Sequence, residues 1–240
     1  MKIKNTVALV TGANRGIGAA LVQALLECGA SKVYAAARQE ADLPTLGVRD
    51  ERRIVPVHLD VTNASHVARV ARQATDVTVL FNNAGVLSFG SVLDAPSTAF
   101  LQNFDVNFYG LLHTTRAFAP TLTKHHGAVV NVLTLVALAS MPGLGVYNAS
   151  KAAAWSLTQS LRADFAKRQV RVFSVFPGAV DTDMLKGVEM PKAAPLDVAS
   201  AVLRGIEADE EDILPDPMSR ELYAQWMTDH KAIERQFATM

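Results

Sequence analysis

The amino-acid sequence predicts an α/β fold: a doubly wound sheet of about seven mostly parallel strands with helices on both faces. Three observations carry the prediction. Short, near-continuous apolar runs recur along the 240 residues, as expected of strands covered on both faces of a parallel sheet. Segments of helical spacing alternate with these runs, which implies right-handed crossovers. The glycines and polar residues with special chemistry cluster where the runs end, the carboxyl edge at which such sheets bind ligands.

The elements follow in order. Residues 6–10 form the first strand, and Thr11-Gly12-Ala13-Asn14-Arg15-Gly16-Ile17-Gly18 follows directly. Helical spacing then runs through Leu21, Leu25 and Leu26 to Cys28-Gly29. A glycine turn between a strand and a helix suits a diphosphate, because the backbone comes close and the helix end offers free N–H groups and positive potential. The spacing is GxxxGxG, not the commoner GxGxxG. A second strand, 33–37, ends at Arg38, twenty residues past Gly18. An acidic residue near this point would bind a ribose 2′-hydroxyl, whereas Arg suits a 2′-phosphate. Arg38, with Arg15 in the turn, points to NADP(H) as the preferred cofactor, NAD(H) staying possible.

A third strand, 54–59, leads into Asp60-Val61, and helical spacing follows through Val67, Val70 and Ala71. A fourth, 77–81, is closed by Asn82-Asn83-Ala84-Gly85, small residues that let a flat ring pass close to the backbone. A long helical region, 97–123, is expected to break near Pro120 and contains Asn107, out of place in an apolar helix unless its amide is hydrogen-bonded. The fifth strand is 127–133. After a loop, a helix opens at Tyr147 and runs to about 167. The sixth strand, 170–176, ends at Pro177-Gly178. A short last strand is expected at 213–214 and one or two amphipathic helices over 220–237. One domain, 1–240, accounts for the pattern, with a substrate loop over about 183–195 and a divergent helical tail over about 216–240.

Within this frame Tyr147 and Lys151 stand four apart on one helix face. A cation beside a phenol favours the phenolate, so the pair is a candidate proton donor and acceptor.

Composition narrows the partners. The chain is 50% hydrophobic and 19% charged, with 23 basic and 23 acidic residues, which gives no electrostatic case for nucleic acid or an anionic membrane. The single cysteine, Cys28, excludes an intrachain disulfide and fits a reducing cytoplasm. The start of the chain lacks a secretory pattern. The uncharged stretch 127–150 contains Asn131, Pro142, Gly143, Gly145 and Asn148, which argue against a membrane span. His125-His126 has no partner at metal-ligand spacing, so no metal is expected. The acidic run 207–212 reads as a solvated loop.

Taken together and in this order, the glycine turn, Asp60, Asn82 to Gly85, Asn107, Tyr147 with Lys151, and Pro177-Gly178 followed by Thr182 make the chain resemble the short-chain dehydrogenase/reductase family, whose fold is of the Rossmann type. The resemblance implies roles. Gly12, Asn14, Arg15, Ile17 and Gly18 would hold the cofactor phosphates, with Arg38 at the 2′-phosphate. Asp60 would accept from the adenine amino group beside the Val61 backbone, and Asn83, Ala84 and Gly85 would line the adenosine ribose. Tyr147 would be the general acid and base. Lys151 would lower its pKa and hold the nicotinamide ribose. Asn107 would hold a water in a proton relay. Pro177, Gly178, Val180 and Thr182 would border the nicotinamide. The family's usual serine, thirteen residues before the tyrosine, is here Thr134, which keeps the hydroxyl and adds a β-branch. Ser140 lies too close to Tyr147 in sequence to replace it.

The expected reaction is hydride transfer between NADP(H) and a carbonyl or secondary alcohol. Pocket walls drawn from 86–93, 135–144 and 184–190 make an apolar substrate the expectation. Two alternatives stay open: a cofactor-binding regulator or scaffold with impaired catalysis, and an imine reductase, dehydratase or epimerase on the same fold. The family's habit of pairing the helices of Asn107 and Lys151 implies a homodimer or homotetramer.

Overall fold

The computed structural model describes residues 1–39 and 51–239. Its centre is a seven-stranded sheet in the order β3-β2-β1-β4-β5-β6-β7, and every strand pairing in it is parallel. The strands are β1 (Val7–Thr11), β2 (Lys32–Ala37), β3 (Ile54–His58), β4 (Val79–Asn82), β5 (Ala128–Val132), β6 (Arg171–Val175) and β7 (Asp212–Ile213). The order reverses between β1 and β4, the switch point at which doubly wound sheets open a crevice.

Alternation along each strand sorts the core into two layers. Ala8 and Val10 of β1, with Val130 of β5 and Phe173 of β6, meet α1 (Gly16–Glu27) and α6 (Pro195–Ala208) on one face. Leu9, Val129 and Val172 point the other way, toward α2 (Ala64–Gln73), α4 (Leu111–Lys124) and α5 (Gly145–Ala166). Helix α1 buries Leu21, Val22, Leu25 and Leu26, each worth ~1.5–3 kcal/mol by removal from water.

The long helical region is interrupted, but not at Pro120. Helix α3 (Ser97–Phe104) runs into one π-helical turn, Asp105–Gly110, and then into α4. Pro120 sits inside α4 without ending it, its ring on the exposed side. The irregular turn falls at Asn107, whose amide is held by Val86 and Ser150. A π turn inside an α-helix is a frequent mark of function.

The acidic run is not one loop. Glu207 lies in α6, Asp209 caps it in the left-handed conformation, and Asp212 opens β7. Arg171 pairs with Asp209 at 3.3 Å, and Arg162 with Asp212 at 2.9 Å. The tail forms two helices, α7 (Pro217–Thr228) and α8 (His230–Phe237), joined at Asp229. Among the described residues no helix is long and apolar enough to cross a membrane.

Candidate active site

One cavity of about 950 Å³ opens along the carboxyl ends of the strands. That is near the top of the ~300–1,000 Å³ range of small-molecule sites. Eighteen of the nineteen residues singled out from sequence line it: Gly12, Asn14, Arg15, Ile17, Gly18, Arg38, Asp60, Val61, Asn83, Ala84, Gly85, Thr134, Tyr147, Lys151, Pro177, Gly178, Val180 and Thr182. Asn107, the nineteenth, lies behind Lys151 at a second cavity of about 10 Å³.

The glycine turn is shaped by what a side chain would strike. Gly12 has φ +64°, in the left-handed region. A Cβ on Gly18 would lie 2.1 Å from the Gly12 carbonyl oxygen, so helix and turn meet backbone to backbone. The first turn of α1 carries no acidic residue and no side-chain cap, leaving its N–H groups directed at the cavity. Asn83 braces this turn from β4. Its amide donates to the carbonyls of Thr11 and Gly12 at 2.9 and 3.1 Å. The Thr11 hydroxyl accepts from the backbone N–H groups of Asn83 and Ala84, each at 3.0 Å. Asn83 therefore shapes the turn with its side chain while bordering the cavity.

At this end Arg15 and Arg38 are both exposed, and Arg15 lies 3.3 Å from Asp183 across the cavity mouth. Asp60 accepts from the Thr62 N–H and hydroxyl at 2.9 and 2.8 Å. Partial burial pushes its pKa up, but those two hydrogen bonds and the nearby charges of Arg38 and His66 outweigh it, and the carboxyl ends below its ordinary value.

At the other end Tyr147 and Lys151 rise from the first turns of α5. Both are buried, 7% and 5% exposed. The Lys151 ammonium donates to the Val132 carbonyl at 2.8 Å and stands 5.9 Å from the centre of the Tyr147 ring. Burial pushes the Lys151 pKa down to about 8. Burial also pushes the Tyr147 phenol well above its ordinary value, and a hydrogen bond from Thr134 pulls it partly back. This corrects the expectation that Lys151 lowers the phenol pKa. In this arrangement desolvation is the largest effect on the phenol, and one donor of the ammonium goes to Val132. Thr134 sits at the start of a short 3-10 turn, Leu135–Ala137, with its hydroxyl accepting from the Val136 N–H at 3.4 Å. The hydroxyl is thus at the Tyr147 phenol, in the position expected from spacing.

Asn107 uses its amide fully on protein. Its Oδ1 accepts from the Val86 N–H, and its Nδ2 donates to the Val86 carbonyl and to the Ser150 hydroxyl, all at 2.9 Å. It clamps the loop after β4 to α5, one residue from Lys151.

Some residues that build the site carried no signal strong enough to single them out. A buried chain of hydrogen bonds runs beneath it. Asn82 donates to Thr115 and Asn131 and accepts from Thr114, and Asn131 donates to Thr158 of α5. Such a network, fully paired, fixes β4, β5, α4 and α5 relative to one another. Isolated Asn and Thr in apolar elements are the only trace it leaves in sequence. The tail was also missed as part of the site: Met218, Leu222 and Phe237 line the cavity. Of the expected walls, Val86, Leu87, Leu135, Val136, Met141, Leu144, Met184, Leu185 and Met190 reach it, whereas Leu138 packs into the core instead. Asp216 caps α7 and accepts from the Gly178 N–H at 2.9 Å, joining the tail to the loop after β6.

Comparison with known proteins agrees with this architecture. The family model of the short chain dehydrogenases matches residues 6–192. An uncharacterised oxidoreductase of Staphylococcus saprophyticus is 30% identical over 219 residues, 86% of this chain and 93% of that one. One of Staphylococcus aureus is 33% identical over 212 residues, 84% and 90% of the two chains. A crystal structure of a short chain dehydrogenase from Burkholderia cenocepacia, in complex with NADP, superimposes with a TM-score of 0.93 at 41% identity, covering 99% of both chains. One from Burkholderia phymatum, in complex with NAD, gives 0.84 at 27% identity over 98% and 96% of the two chains. The sheet order, the glycine turn and the match over residues 6–192 lead to one conclusion: the chain belongs to the short-chain dehydrogenase family of oxidoreductases.

Proposed function

We propose that the protein is an NADP(H)-dependent oxidoreductase that interconverts an apolar carbonyl compound and its secondary alcohol. The observation that carries this is the meeting of Thr134, Tyr147 and Lys151 in the same cavity as the glycine turn and Arg38.

The residues present fit a dinucleotide. A turn that excludes any Cβ at Gly18 and uncapped N–H groups on α1 suit a diphosphate. Arg15 and Arg38 suit a 2′-phosphate, and Asp60 with Val61 an adenine. The NADP bound by the 41% identical Burkholderia cenocepacia relative supports the same preference, and the NAD bound by the more distant one keeps NAD(H) possible. When bound, the nicotinamide supplies or accepts the hydride.

The chain's own groups handle the proton. In reduction, the hydroxyls of Thr134 and Tyr147 hydrogen-bond the substrate carbonyl oxygen, and Tyr147 delivers its proton as charge develops there. The raised phenol pKa keeps that proton in place at neutral pH. The Thr134 hydrogen bond then stabilises the phenolate. Lys151 would also hold the nicotinamide ribose when the cofactor is bound. Asn107 positions α5, and the cavity of about 10 Å³ between Asn107 and Lys151 is close to the smallest that takes one water, which supports a relay toward Lys151. The contact between Thr134 and Tyr147 favours retained catalysis over a silent cofactor binder. Exposed Leu101 and Tyr109 on the helix of Asn107 support pairing with a second copy, as a homodimer or homotetramer.

Tyr147→Phe tests the reading. General acid catalysis contributes ~10²–10⁴-fold, so NADPH consumption with a carbonyl panel should fall by that factor while NADPH affinity stays within a few-fold. Turnover by the variant near the wild-type rate would refute the assignment.

A further inference from the structure

The substrate half of the cavity is closed by the chain's own tail. Met218 and Leu222 of α7 and Phe237 of α8 face the same space as Tyr147, and Phe237 is only 3% exposed. The wall is anchored at four points. Trp226 meets Trp155 of α5 edge to face with ring centres 5.8 Å apart, and Tyr223 meets Phe176 at 6.1 Å. Ile233 and Phe237 pack on Ala139, with Val136 and Met141 beside them, in the segment that follows Thr134. Asp216 ties the base of α7 to Gly178. This wall is therefore continuous with both loops that border the chemistry.

Four methionines share this lining. Met141, Met184, Met190 and Met218 border the same cavity as Phe237. Thioethers are polarizable and adaptable, and they make favourable contacts with aromatic rings. A ring of Phe237 offers edge and face contacts to another ring, which a short alkyl group cannot use.

We infer that Phe237 sets the depth of the substrate pocket, and that the pocket takes ketones or aldehydes bearing an aromatic group next to the carbonyl. The inference deepens the reductase reading and rests on it. Its test uses the intact chain with butan-2-one, acetophenone and acetylnaphthalene, followed by NADPH oxidation. In parallel, the Kd of each ketone for the protein loaded with NADP+ is measured by calorimetry. The wild type should favour acetophenone over butan-2-one by ~10-fold or more in kcat/KM, since a group filling an apolar pocket is worth that factor. Phe237→Ala should move the preference from acetophenone toward acetylnaphthalene by ~10-fold, with NADPH affinity unchanged. Phe237→Trp should shift it the opposite way, toward butan-2-one, and serves if the alanine variant does not fold. Unchanged ratios in a folded variant, or a wild type that prefers butan-2-one, would overturn the inference. If the ketones bind but no NADPH is consumed, the reductase reading fails and the Kd ratios decide the role of Phe237. If no ketone binds, the pocket assignment itself is wrong.

Discussion

Lys151 carries a charge in a place that disfavours it, and this gives a stability prediction with a definite sign. Burial brings its pKa from the ordinary 10.5 to about 8 in the folded chain. Below pH 8 the ammonium is charged in both folded and unfolded states, and the folded state bears the full cost of burying it. Between about pH 8 and 10.5 the unfolded chain still holds a proton that the folded chain has released. The unfolded state then binds more protons, so stability rises with pH. Integrating the two titrations from pH 7 to 9.5 gives a gain of about 2 kcal/mol from this one residue.

The assay is urea unfolding of the cofactor-free protein at several pH values, for the wild type and for Lys151→Met. Other groups titrate in the same range. Burial lowers the pKa of the Met1 ammonium and raises that of the Cys28 thiol. The difference between the two proteins removes their contribution. Tyr147, raised by burial, opposes the trend only above about pH 10, where unfolded phenols begin to ionise. The expected result is a wild-type stability that climbs by about 2 kcal/mol relative to Lys151→Met between pH 7 and 9.5. A flat or falling difference would refute the picture of a desolvated ammonium held on the Val132 carbonyl.

Three further outcomes follow from geometry. Gly18→Ala places a Cβ 2.1 Å from the Gly12 oxygen, so the turn must move; NADPH Kd by fluorescence titration should rise at least ~10-fold, and an unchanged Kd would remove the turn from the cofactor site. Thr134→Ser should keep activity, whereas the near-isosteric Thr134→Val should lower kcat by ~10²-fold at constant NADPH Kd, because only the second removes the hydroxyl at Tyr147. Asp216→Ala removes both the α7 cap and the acceptor for the Gly178 N–H; it should cost ~2–4 kcal/mol in urea unfolding, with Asp216→Asn intermediate, and a loss under ~0.5 kcal/mol would mean the tail is not held there.

The glycine-turn half of the cavity was legible in sequence because backbone geometry specifies it. A turn that must be left-handed at Gly12 and bare at Gly18 leaves glycines at fixed spacing, and a helix face leaves Tyr147 and Lys151 four apart. Strand boundaries were legible to within a residue or two because both sheet faces are buried. The substrate half was not, since it is made by side chains from distant segments whose meeting no local pattern records. Phe237 and Ala139 are far apart in the chain, yet they share one apolar cluster. The π turn escaped notice for a related reason. Its cause is the pull of Val86 and Ser150 on Asn107, which are tertiary contacts, whereas Pro120 is a local breaker that an exposed helix face tolerates.

The same division explains how Thr134 reaches the cavity. Thr134 is placed by the end of β5 and by the 3-10 turn it caps, and its backbone is extended at φ −174°. A β-branched residue favours that conformation, so the extra methyl brings no backbone strain there. Thr134, placed by backbone, and Phe237, placed by side-chain packing, both line the cavity. Met141, Met184, Met190 and Met218 line the same cavity, and their thioethers adapt to what they meet. The glycine-turn end of the cavity, where helix and turn meet backbone to backbone at Gly18, has no comparable freedom.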